Sequence, residues 1–321
     1  VGHGHKLEAV RASVRSIRIL LCGALSLVAM GCIPLPPGTH NPEQFPPGQG
    51  PNIVRATVFQ GLGAWWDVWD WSPTFNRGRQ KYGLGDVDRL AANGVQTLYI
   101  QTATWRHPDD VLDEPLLRQI IDRSRAQGMK VVAWYLPEHV DADLDLRRMR
   151  RAVELGVDGF GIDIESSKNP DEASRNAILL HEVRTLRAWF PELALAAIPV
   201  APIVWERLNA TWWPNFPYRE LAPYFDVWMP QNYWTYRKPE SGLRDAYRYN
   251  VENIGLLRDL TGVPWLPVHP IGGEANQVSN DDLAQMYRAI LDTHSIGGSI
   301  YDDSITSGGL WERLRWFRIP K

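Results

Sequence analysis

Asp163 and Glu165 stand two residues apart in the segment Val157 to Glu165, VDGFGIDIE. Alternate residues of a strand face opposite sides, so Gly161, Asp163 and Glu165 share one face and Phe160, Ile162 and Ile164 the other. The apolar set suits packing under helices. The other set points inward, with its two carboxylates roughly 6 to 7 Å apart at their Cα atoms. Close like charges raise the pKa of one partner, and a carboxylic acid that keeps its proton near neutral pH can act as a general acid. A salt-bridged pair at the mouth of the fold would satisfy the same spacing.

Further residues able to bind or react close other short apolar runs. Trp66 and Asp67 end the first run, Gln101 and Trp105 the second, and Trp134 and Tyr135 the third. Gln231, Tyr233 and Trp234 end the sixth, His269 the seventh, and Tyr301 and Asp303 the eighth. One carboxylate at such a place is an ordinary helix cap. Carboxylates, amides and aromatics at most of these ends are the lining of a ligand site. The chain has 15 tryptophans, and an indole with one N–H donor serves both cores and sugar-stacking surfaces.

The elements that must position these groups follow from the runs themselves. They are RATVFQG from Arg55, VQTLYIQTA from Val95, MKVVAWYLP from Met129, VDGFGIDIE from Val157, LALAAIPV from Leu193, FDVWMPQNY from Phe225, VPWLPVHP from Val263 and GGSIYDD from Gly297. Several are almost continuously apolar, as strands buried on both faces are. Between them lie amphipathic stretches, among them Glu114 to Gln127 and Ala142 to Leu155. Asn169 and Pro170 offer a cap and a first helical position for a helix running to Phe190, and Ser279 with Asp282 reads as a capping box. Gly94, Gly128, Gly156 and Gly262 each sit just before the next strand, as helix C-caps do. Eight strand–helix units predict an α/β fold, a (β/α)8 TIM barrel formed by residues 54–321 as one domain; such barrels use about 250 residues. In them the ligand site lies at the C-terminal ends of the strands.

The stretch from Asp158 to Glu165, DGFGIDIE, resembles the strand-4 signature of chitinase-type (family 18) glycoside hydrolases, DGxDxDxE. The resemblance implies hydrolysis of a glycan, with Glu165 protonating the glycosidic oxygen. Asp163 would then orient the substrate's acetamido group, which acts as an internal nucleophile. Met229 and Tyr233 are similar to that family's Met-x-Tyr region with altered spacing, and Gln231 offers a substrate-positioning amide. Gly161 departs from the pattern, standing where the family has the first Asp of its trio. Ala133-Trp134-Tyr135 stands in place of the family's Ser-x-Gly-Gly. Without substrate assistance a second carboxylate must act as nucleophile or base; Asp67 is the first candidate and Asp303 the next.

Two alternatives come from other classes. A catalytically inactive carbohydrate-binding barrel would use the same aromatics, and glycan hydrolysis that depends on Glu165 separates it from an enzyme. A metal-dependent deacetylase would use Tyr301-Asp302-Asp303 with His139 or His269. No His-x-x-x-His pair falls at a strand end, so neither a metal nor a cofactor is expected.

The net charge is −3, without the basic stripe of a nucleic-acid partner. The two cysteines, Cys22 and Cys32, both lie in the N-terminal segment, which leaves the barrel without disulfides or thiolate metal sites. Lys6, Arg11, Arg15 and Arg18 precede an apolar run, Ile19 to Met30, too short to span a bilayer comfortably. It ends in Ala29-Met30-Gly31-Cys32, and residues 1–32 resemble a bacterial lipoprotein signal. The resemblance implies lipidation of Cys32 and an extracytoplasmic, membrane-anchored protein; an ordinary cleaved signal peptide implies a secreted one. Residues 33–53, dense in Pro and Gly, read as a semi-extended linker.

Overall fold

A computed structural model describes Phe45 and residues 50–319. The signal segment 1–32, Cys32 with it, and most of the linker 33–53 lie outside the described residues. Eight strands alternate with helices: β1 Gly61–Trp66, β2 Thr97–Gln101, β3 Lys130–Tyr135, β4 Gly159–Ile164, β5 Ala194–Pro199, β6 Val227–Trp228, β7 Ile271–Glu274 and β8 Gly297–Tyr301. All pairs are parallel, in the order 6-5-4-3-2-1-8-7. Parallel bridges from Trp228 to Val268 and from Gln231 to Ile271 join the two ends of that order. The architecture is the (β/α)8 barrel expected from the alternation.

The helices form where the sequence places their signals. Glu114–Ala126 and Ala142–Val153 bury their apolar faces against the sheet. Ser279 and Asp282 make the reciprocal capping box of the helix Asn280–Asp292. Gly262, at φ +72°, ends the helix Ala246–Thr261 in the left-handed conformation that a Cβ disfavours.

Three boundaries differ from the sequence reading, each for a local reason. The run from Arg55 is not strand: Asn52 caps a helical turn Ile53–Ala56 that continues as a 3-10 turn Thr57–Phe59, and β1 starts only at Gly61. This turn is anchored by Asp226, a fully buried carboxylate that accepts from Asn52 N–H at 3.1 Å and pairs with Arg55 and Arg187. The cap of the helix Glu172–Trp189 is Asp171, whose side chain accepts from Ser174 N–H, rather than Asn169. The seventh strand is also later than the run from Val263, because prolines 264, 267 and 270 lack the N–H that a ladder needs.

Phe59 and Ala56 fill the N-terminal end of the barrel beneath Trp65, Tyr99, Val132 and Trp134. Small residues opposite large ones let these rings fit. A Cβ at Gly159 would lie 3.2 Å from the Phe59 ring, and one at Gly161 only 2.7 Å from Ile198 Cδ1. Trp65 stacks on Tyr99 with centroids 4.3 Å apart.

Candidate active site

Asp163 ends β4 facing inward, and Glu165 follows on the same side. With Trp134 and Tyr301 they stand where two hollows meet at the C-terminal mouth of the barrel. The inner hollow, of about 170 Å³, is completed by Trp65, Ile198, Gln231, Tyr233 and Ile271. The outer hollow, of about 200 Å³, is lined by Asp67, Trp69, Phe75, Gln101, Thr104, Trp105 and Arg106 among others. The site combines apolar walls with a few convergent polar groups, as ligand pockets do.

Gln231 is fixed by the closing seam, where it bridges to Val200 and Ile271 and its N–H donates to Pro199 O at 2.9 Å. Its side-chain Nε2–H donates to Asp163 Oδ1 at 2.9 Å. Burial, and then the charge of Glu165, push the Asp163 carboxyl well above the usual range, while the Gln231 amide opposes the shift. Burial also raises Glu165, again opposed by Gln231. The two carboxyls titrate as a pair, and the pair retains a proton closer to neutral pH than free carboxylates do. Burial beside both carboxylates holds the Tyr233 phenol protonated, so it is a hydrogen-bond donor throughout the physiological range.

Asp67 reaches the outer hollow while serving as the N-cap of the short helix Val68–Trp71. One oxygen accepts from Trp69 N–H at 2.7 Å and the other from the Tyr301 hydroxyl at 3.3 Å. Burial and the nearby Asp302 raise its pKa. Asp70 behind it rises to about 7 through burial and the charges of Asp67 and Asp302. These three carboxylates converge within 4.8 Å, an arrangement with donor atoms for a cation. Lys81 already places its ammonium 3.2 Å from Asp70.

Asp67, Gln101, Trp105, Trp134, Asp163, Glu165, Gln231, Tyr233 and Tyr301 thus meet in one cleft. Five other candidates do not line it. Trp66 faces the helices, stacks on Tyr82 and donates its indole N–H to Asp303 at 2.8 Å. Asp303 in turn holds Arg89 with both oxygens, at 3.0 and 2.7 Å. Tyr135 also points outward and donates to Asp145 at 2.6 Å. Trp234 is buried against Gly272. His269 lies inside the barrel, where Phe59 O accepts from Nδ1–H at 2.7 Å, so Nε2 accepts from the Ser299 hydroxyl at 3.0 Å.

The cleft also contains Trp65 and Trp69, which the sequence places at the end of the first strand, and four residues the sequence reading missed: Phe75, Ile198, Ile271 and Arg106. Alternation carried a usable sign for the inward face of β1. Trp65 shares its face with Gly63 and Gly61, and two small residues beneath a large one mark the crowded interior of a barrel.

No protein-family model matches the chain, and no curated protein matches it in sequence. Solved structures do match in three dimensions. The spore cortex-lytic enzyme SleL of Bacillus cereus is 11% identical, with a TM-score of 0.58 over 81% of this chain and 74% of its own. A family GH18 chitinase from Cycas revoluta, solved with allosamidin, is 11% identical, with a TM-score of 0.57 over 80% and 98%. The endo-1,4-beta-D-mannanase of Thermotoga petrophila is 8% identical, with a TM-score of 0.54 over 76% and 88%. The likeness shows the (β/α)8 fold that these three enzymes also have. At such identities the likeness concerns architecture, and the chemistry rests on the cleft.

Proposed function

We propose that the protein is a secreted glycoside hydrolase acting on a polysaccharide or cell-wall glycan, with Glu165 as general acid and Asp163 as the orienting or stabilising carboxylate. The observation that carries this is the position of the two carboxyls, adjacent in the cleft at the end of β4, with pKa values raised by burial. Glu165 gives its proton to the glycosidic oxygen as the C–O bond breaks; water supplies the hydroxyl that ends on the sugar, and its remaining proton passes to a carboxylate of the cleft, which restores the acid. Gln231 and Tyr233 donate hydrogen bonds toward Asp163 and toward a sugar substituent in the inner hollow. On a glycan without an N-acetyl group, Asp67 is the second carboxylate of the cleft. The solved structures lend support, since those named are a cortex-lytic enzyme, a chitinase and a mannanase.

A second reading, an inactive carbohydrate-binding barrel, is favoured by one observation. Ile198 occupies the space beside Gly161 where the chitinase-type trio has its first Asp. Release of reducing ends from chitin, peptidoglycan or other bacterial wall glycans, lost in Glu165→Gln, supports the enzyme. Binding without release by the unmutated protein supports the binding barrel.

Anchoring through a lipid on Cys32 belongs to the same proposal and places the cleft outside the cytoplasm. Cys32→Ala should then free the protein from membranes while preserving its thermal unfolding. Unchanged membrane fractionation contradicts the anchor.

A further inference from the structure

The outer hollow has an unusual rim. Trp105, in the loop after β2, is 42% exposed. Its ring lies 4.9 Å from the guanidinium carbon of Arg106 and 5.4 Å from the ammonium of Lys168. Lys168 comes from a different loop, three residues after Glu165. Two cations from two loops therefore converge on one indole beside the acid. Arg106 lines the hollow and has no carboxylate within ion-pair distance among the described residues, whereas Arg89, Arg123, Arg147 and Arg151 all do. Lys168 has only a long contact to Glu138, at 3.9 Å, and is 61% exposed.

A neutral ligand would make no use of these two positive charges. Arg106 has no partner carboxylate among the described residues, and Lys168 has only the 3.9 Å contact with Glu138. Directly below them the cleft is acidic, with Asp67, Asp163 and Glu165. A ligand bearing negative charge would be repelled by that floor unless cations at the entrance offset it. An indole with a guanidinium over its ring also offers a sugar two contacts at once: an apolar surface for the ring and a charged fork for a carboxylate.

We infer that the outer hollow binds a sugar unit carrying a carboxylate, with Trp105 under the ring and Arg106 and Lys168 on the acid group. The inference rests on the glycosidase reading and deepens it, setting the substrate class as an anionic glycan. Carboxylates of this kind occur on uronic acids and on the lactyl ether of muramic acid.

The test uses the Glu165→Gln protein as a binding reporter and follows intrinsic tryptophan fluorescence. Three probes of similar length are titrated: neutral chito-oligosaccharide, peptide-free peptidoglycan strands and hyaluronan oligosaccharide. The expected result is tighter binding of at least one carboxylate-bearing probe than of the neutral one, with the advantage shrinking as salt rises. Which anionic probe wins identifies the source of the carboxylate. Arg106→Gln and Lys168→Gln should each cut the charged-to-neutral affinity ratio by about fivefold, the upper end for an exposed charge contact. Trp105→Ala should weaken both kinds of probe. Equal affinity for charged and neutral probes, or a ratio unmoved in the Arg106→Gln/Lys168→Gln protein, overturns the anionic-substrate inference while leaving glycan binding intact. Failure of all three probes, together with no hydrolysis by the unmutated protein, overturns the glycosidase reading itself.

Discussion

Gln231, held at the seam that closes the barrel, and Asp163 on β4 are joined side chain to side chain at 2.9 Å. The amide N–H stabilises the ionised carboxylate and so restrains a pKa that burial drives upward. Gln231→Leu keeps the volume and removes the donor. The Asp163–Glu165 pair should then titrate at higher pH, moving both limbs of the kcat/KM profile toward alkaline pH. Loss of a hydrogen bond to a charged group also costs about 10- to 100-fold in rate at the optimum. A profile that keeps its shape and position would show that the amide does not act on the pair.

The interior of the barrel depends on glycines beneath aromatic rings. A Cβ at Gly63 would collide with the ring of Tyr99, which is stacked on Trp65 and fully buried. Gly63→Ala should therefore lower stability by about 2 kcal/mol, as overpacking of a filled core does. Chemical denaturation read at 25 °C checks it, and an unchanged midpoint would mean that the ring has room to move.

His269 provides a pH-dependent element of stability. It is completely buried, and burial pushes its pKa down to about 4. The groups around it are neutral: Phe59 O, the Ser299 hydroxyl and the Tyr99 ring. The unfolded chain takes up a proton near pH 6.5 and the folded one only near 4. The contribution is therefore present above pH 6.5 and is lost as pH falls through the folded value, on the order of 3 kcal/mol in all. Asp70 and Asp145, raised to about 7 by burial, act in the opposite direction, so the useful quantity is a difference. Subtracting the pH–stability curve of His269→Gln from that of the unmutated protein should leave a step between about pH 6.5 and 4. A flat difference would contradict the burial of a neutral imidazole.

The sequence makes some parts of this site legible and hides others for a physical reason. Asp163 and Glu165 can be placed because Ile162 and Ile164 alternate with them, and alternation fixes which side of a strand faces in. In β3 both faces are buried and apolar residues run on without a break, so parity is lost, and in β1 only the two glycines beneath Trp65 mark the inner face. That is why Trp66 and Tyr135 look as eligible as Trp65 and Trp134, although each points away from the cleft. Asp303 misleads differently. Its partner Arg89 lies 214 residues away in sequence, and no local pattern announces such a pair. The strand run from Arg55 failed because Asn52, a side-chain cap, turns the same apolar residues into a helical plug.

Asp303 also yields a contrast with the cleft carboxylates. Asp303→Asn should lower thermal stability, since it weakens the buried end of the Arg89 pair and the bond from Trp66. It should leave kcat near that of the unmutated protein. A large fall in kcat with an unchanged melting temperature would move Asp303 into the catalytic machinery.

The central claim is that Glu165 protonates the departing sugar oxygen, and leaving-group dependence tests it most directly. The measurement is kcat for the unmutated and Glu165→Gln proteins on a natural glycan and on an activated aryl glycoside of the same sugar. General acid catalysis contributes about 10²- to 10⁴-fold, so the natural glycan should lose about that factor. The aryl glycoside, whose leaving group needs little protonation, should lose far less. Asp163→Asn should slow both substrates alike, because an orienting carboxylate acts whatever the leaving group. Equal losses on the two substrates for Glu165→Gln would contradict the acid role.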